Sequence, residues 1–284
     1  ESMKDLFWFT RRRPSPPCAP AVPSALALTS LWRDPTIWTW AAGPMLLFLL
    51  VAAVLALLPT PLQQKPFFCA RNLVSLAAFT SFAYSGLSHW NGTVINYEPS
   101  LFGFDEHGWV LCKKMTGFQF FDILVSMSVP SLRKAEHVGH HVLAAGCAIC
   151  ALTGPVFTKY AVYYFGLVEV SSVPLCFVDV YRTVPQLAKG SKLHFVTNEI
   201  ARTVFALTFI GLRVVHWPYV TWVMLNEMYI AWSKDDLRGF HFQFAYLLVV
   251  LLALSLLQQY WGYKVLKALW KMIIGDMGNR EKEA

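Results

Sequence analysis

The stretch Arg133-Lys134-Ala135-Glu136-His137-Val138-Gly139-His140-His141 decides how this chain is read. It opens a long apolar run that Glu169-Val170-Ser171-Ser172-Val173-Pro174 interrupts and that Asp179 and Arg182 close. The flanking sequence is apolar enough to lie in a membrane. A histidine cluster and a mid-run carboxylate are costly there and mark a site. The rest of the chain agrees. Its 284 residues are 56% hydrophobic and 14% charged, against about 25% charged in soluble domains. The fold class expected is an all-α polytopic membrane protein built as one bundle.

Working outward, apolar runs predict seven spans. They are Thr36 to Leu58, Phe67 to Trp90, a short third near Gly117 to Ser131, Glu136 to Leu152, Phe157 to Tyr181, Asn198 to Trp232, and Phe240 to about Lys271. Each long run can cover about 30 Å of hydrocarbon. Gly154-Pro155 predicts the turn between the fourth and fifth spans. Pro218 predicts a bend within Asn198 to Trp232, read as one helix. Residues 91–116 read as the one sizeable loop, and Asn91-Gly92-Thr93 within it is a glycosylation sequon. Four parts follow: a basic, proline-rich arm at 1–34, an extra helix at 35–64, a helical domain at 65–275 and a polar tail at 276–284.

The net charge of +7 sits in tails and short loops, where lysine and arginine meet lipid headgroups. No basic stripe interleaved with aromatics is present, so nucleic acid is not an expected partner. Membrane lipid is. The six cysteines show no disulfide framework, and Cys147-x-x-Cys150 reads as small residues at a helix contact. The first residue is Glu1 rather than Met, which predicts a processed or trimmed start.

His137, His140 and His141 stand at i, i+3 and i+4 and share a helix face. The spacing is that of a histidine box, but a di-iron site draws on several boxes, and the other five histidines are scattered. No metal and no cofactor are expected. Acyl transfer is a second chemistry, with His140 or His141 as base or nucleophile. Antiparallel pairing across Gly154-Pro155 makes Asp179 the expected carboxylate partner of the histidines. A purely structural role for His140 and His141 stands beside it. Glu169 at membrane depth needs a partner, and Arg202 and Arg213 are the candidates. Asn198 and Arg202 share a face, as do Phe205, Phe209 and Arg213. Pro174 predicts a bend just past Ser171 and Ser172.

These markers together resemble the TLC-domain family, which includes ceramide synthases and translocon-associated relatives. The similarity runs from about Lys65 to Gly275. Phe121-Asp122, His140-His141, the Glu169 to Pro174 element, Asn198 with Phe205, Phe209 and Arg213, and Leu256 to Trp261 follow in order. The resemblance implies six helices in a barrel around a lipid cavity, with one helix before it. Asp122, Glu169, Ser172, Asn198, Arg202, Phe205, Phe209 and Arg213 would line that cavity, with His140, His141 and Asp179 as catalytic candidates. Val168-Glu169 stands where ceramide synthases carry His-Asp, so the chain is more similar to the non-synthase branch, linked to membrane lipid composition. A bound phospholipid or acyl chain is the expected ligand.

A reading of another class remains open: an accessory subunit of a larger membrane complex that has kept this fold and docks partner subunits on residues 1–34. The family suggests the endoplasmic reticulum. The arginine-rich start suggests the mitochondrial inner membrane.

Overall fold

The computed structural model of the chain describes residues 31–90, 101–154 and 156–283, with side chains to residue 271. Residues 1–30 of the arm, the sequon at Asn91 and Pro155 lie outside the described residues. So do the side chains of the polar tail. Among the described residues every regular element is helical, in seven long segments. They are α1 Pro35–Leu57, α2 Pro66–His89, α3 Glu106–Ser128 and α4 Ala135–Thr153. The composite helices α5 Thr158–Thr183 and α6 Lys192–Ser233 follow, and α7 is His241–Glu283.

Four of them, α1, α5, α6 and residues 241–271 of α7, are long and apolar enough to cross a membrane. The other three carry much of the polarity that the fold hides. Arg71, Asn72 and Ser75 of α2, Thr116, Gln119, Asp122 and Ser126 of α3, and His141 of α4 are all buried. Their polarity faces protein, as hydroxyl-rich helix faces do in a bundle.

The helices pack as one bundle, in which α3 also meets α5. Contacts run α2 to α5, α5 to α6, α6 to α7, α7 to α4, α4 to α3, and α3 back to α2. α1 lies outside, against α2 and α3. At Gly117 on α3, an added Cβ would meet the Ile37 carbonyl oxygen, so the missing side chain lets α1 approach. At Gly86 on α2, it would meet the backbone of Gly166 and Leu167 on α5. Small residues here allow backbone-to-backbone packing.

One expected loop is partly helix. Residues 106–116 belong to α3, so the third span is not short. Asp105 caps it, its carboxylate accepting from Gly108 N at 2.7 Å. The charges that suggested a loop sit on the first turns and reach outward: Lys113 Nζ is 2.6 Å from Asp34, and Lys114 lies over the Trp40 ring. Asp34 also caps α1 through Thr36 N at 2.8 Å. Partial burial raises the Asp34 carboxyl, but the bonds from Lys113 and Thr36 outweigh it and hold the group below the usual carboxylate range.

The residues from Lys192 to Ser233 form one continuous helical run, as the sequence predicts. Its irregularity is a wide π-helical stretch, Ile210–His216, just before Pro218. Proline has no N–H for the Val214 carbonyl. Gln259 Nε2 of α7 donates to that carbonyl at 3.3 Å. Within the same stretch, the Leu212 carbonyl accepts from Tyr163 Oη at 2.7 Å. α5 is wound unevenly too: π-helical at Val162–Gly166, 3-10 at Leu167–Val170, then α from Ser172. The predicted bend at Pro174 is replaced by this change of winding, because Pro174 falls in the first turn of the α segment, where a missing N–H costs nothing.

Candidate functional site

Two buried polar clusters lie inside the bundle. The first joins α2, α3 and α4. Arg71 donates twice to Asp122, Nε to Oδ1 at 2.8 Å and a terminal nitrogen to Oδ2 at 2.7 Å. The planar guanidinium fork matches both carboxylate oxygens, the strong form of such a pair. His141 Nε2 lies 2.8 Å from Asp122 Oδ2. Its Nδ1 lies 2.6 Å from Gln119 Oε1. Gln119 and Asp122 stand one turn apart on α3, so one face presents both to the histidine. His137 is a turn before His141 on α4, with ring centroids 4.5 Å apart.

The second cluster joins α5 and α6. Arg213 donates to Ser171 Oγ at 2.8 Å, Ser172 Oγ at 3.0 Å, the Val168 carbonyl at 3.2 Å and Glu169 Oε2 at 3.4 Å. Arg213 also lies over the Phe209 ring, 5.9 Å from its centroid. The tight 3-10 turn at 167–170 brings Val168, Glu169, Ser171 and Ser172 to one guanidinium. A small cavity of about 30 Å³ sits beside it, with Gln119, His140, Glu169, Arg213 and Trp217 in its wall. That volume holds a water or two. Phe157, Tyr164 and Phe165 fill much of the remaining space along it. His140 Nδ1 is buried and has no hydrogen-bond partner among the described residues.

Several site expectations are corrected. Asp179 is not the carboxylate on the histidines; it pairs with Arg182 at 2.7 Å, and Asp122 takes its place beside His141. The expectation compared depths on α4 and α5 alone, whereas the carboxylate comes from α3. Arg202 is not the partner of Glu169: it is exposed and pairs with Glu199 at 3.1 Å, while Arg213 reaches Glu169. Asn198 also meets Glu199, at 3.4 Å, and Phe205 packs on Phe209. Neither Asn198 nor Phe205 is in the cavity wall. Asp122 is locked to Arg71 rather than turned to the cavity. Ser172 is part of the Arg213 cluster. Sequence reasoning missed Gln119, although its spacing from Asp122 points to it, and it gave Arg71 no role.

The order of buried elements, Asp122, then His140-His141, then Glu169 to Pro174, then Arg213, is thus built into one core. The TLC domain model matches residues 68–267. The chain belongs to the TLC-domain family. The match takes in α2 to most of α7 and leaves α1, the outer helix, before it. No curated protein and no solved structure matches the chain. As a TLC-domain protein with apolar helices of spanning length, it is an integral membrane protein.

Proposed function

We propose that this TLC-domain protein binds the polar end of a membrane lipid or fatty acyl group at the Arg213 cluster and serves membrane lipid composition. One observation carries the reading: a buried arginine (bonded to two serines), a carboxylate and a histidine with an unpaired ring nitrogen border a cavity among apolar helices. Charged groups inside a membrane bundle are expensive and mark substrate contacts by default. A cavity of about 30 Å³ takes a carbonyl or carboxylate, not a whole chain. The chain itself therefore has to lie between helices, which must part to admit it.

Within this reading His140, rather than His141, is the base for acyl transfer. His140 borders the cavity. His141 is engaged by Gln119 and Asp122. His140 would take the proton of an attacking hydroxyl or amine as its oxygen or nitrogen bonds to the acyl carbonyl carbon, and return it to the departing group.

The test uses purified protein in lipid nanodiscs with a photoactivatable fatty acid. Wild type and Arg202→Ala should be labelled equally, and Ala144→Leu, which fills the cavity from α4, should lose labelling while keeping its thermal transition. Equal labelling of a folded Ala144→Leu would refute the site. An acyl-transfer assay of wild type against His140→Ala separates binding from catalysis.

A further inference from the structure

We propose that Asp122, His137 and His141 form a binding site for one first-row divalent transition-metal ion. The inference stands apart from the lipid reading, since it concerns the other cluster. Each of the three residues brings one ligand atom to a group whose atoms all lie within 4.8 Å of one another. Two imidazoles and a carboxylate form a donor set suited to zinc or iron(II).

The hydrogen bonding around His141 points the same way. Nδ1 faces Gln119 Oε1 at 2.6 Å, so the ring proton belongs on Nδ1 and Nε2 carries a lone pair. That lone pair lies 2.8 Å from Asp122 Oδ2, yet Nε2 has no hydrogen-bond partner: the oxygen is off the N–H axis. A cation at the vertex would be shared by Nε2 and Oδ2. His137 Nε2 is likewise buried and without a hydrogen-bond partner among the described residues. Ligands that converge on a point have this arrangement; ligands that bond to each other do not.

The supporting shell fits as well. A metal-bound histidine nearly always donates its second ring nitrogen to an oxygen acceptor, and Gln119 supplies one. Arg71 orients the carboxylate with two bonds and leaves lone-pair positions on Oδ2, because each carboxylate oxygen can accept twice. Arg71 and Gln119 are thus positioning residues, and Asp122, His137 and His141 the ligands.

The experiment uses the full chain, purified in detergent, stripped with a chelator, and titrated with Zn²⁺ by calorimetry and with Co²⁺ by visible absorption. Wild type should bind one Zn²⁺ per chain and give Co²⁺ ligand-field bands. His137→Ala should bind none while keeping the thermal transition of stripped wild type. Gln119→Ala should bind roughly 10–100-fold more weakly, and the surface control His194→Ala should match wild type. If Asp122→Asn fails to fold, His137→Ala still decides the matter. Wild type that takes up no stoichiometric Zn²⁺, or His137→Ala that binds as wild type does, overturns the proposal.

Discussion

Removing Arg71 tests the core of the bundle most directly. Its side chain is 7% exposed and that of Asp122 is wholly buried, with contacts of 2.7 and 2.8 Å. A surface pair of this geometry contributes about 0–1 kcal/mol. A buried pair broken on one side costs about 3–5 kcal/mol, because a charge is left without its partner. Arg71→Met leaves a carboxyl that can take up a proton and so lose its unpaired charge, so the lower end of that range, about 3 kcal/mol, is expected. Asp122→Leu strands the guanidinium, and about 5 kcal/mol is expected. The double variant puts apolar side chains in both places and should lie within about 1 kcal/mol of wild type, or above it. Unfolding in mixed micelles of increasing SDS, followed by tryptophan fluorescence with chelator present, gives the four free energies. Costs that add to within about 0.5 kcal/mol would mean the two residues act independently, and the reasoning would fail.

Other substitutions report on packing and caps. Gly86→Ala sets a Cβ against the backbone of Gly166 and Leu167, which cannot swing away, and should cost at least about 1–3 kcal/mol in the same assay. Gly139→Ala, with open space around it in the second turn of α4, should stabilise by up to about 1 kcal/mol. Tyr163→Phe removes the bond to the Leu212 carbonyl and should cost about 1 kcal/mol, with hydrogen exchange faster at 210–216. Asp34→Ala removes both the α1 cap and the Lys113 contact, for a loss of about 1–2 kcal/mol. Because the folded Asp34 carboxyl sits below its ordinary value, its contribution is present above about pH 4 and fades as the pH falls through the depressed value. Asp34→Asn should flatten that part of a stability profile.

What the sequence made legible follows depth and helical spacing. Glu169 needed a buried cation, and Arg213 on the neighbouring helix supplies it. The i, i+3, i+4 spacing put His137, His140 and His141 on one side of α4, and their rings do meet. The carboxylate partner was not legible, because Asp122 is reached through the packing of α3 on α4, while depth relative to the Gly154-Pro155 turn compares only α4 with α5. The first turns of α3 were misread for another reason. Charges at Glu106, Lys113 and Lys114 suggested solvent, yet lysines near a helix end snorkel to the interface and bond there. The small size of the cavity reflects side-chain filling by Phe157, Tyr164 and Phe165, which no spacing rule reveals.

The two wide turns in α5 and α6 bear on how this chain tolerates changes in length. A regular helix advances roughly 100° per residue, so deleting one residue from it swings every later side chain to a new face. A π turn already holds more residues than an α turn. Losing one from Ile210–His216 lets the helix tighten and keeps its two ends in phase. Trp217 would still find Ser255, and Thr221 would still find Tyr164. The same deletion after Trp217 would turn the rest of α6 away from α7. Single-residue insertions and deletions among relatives should therefore gather at 162–166 and 210–216, where the chain can take up a residue without moving its faces.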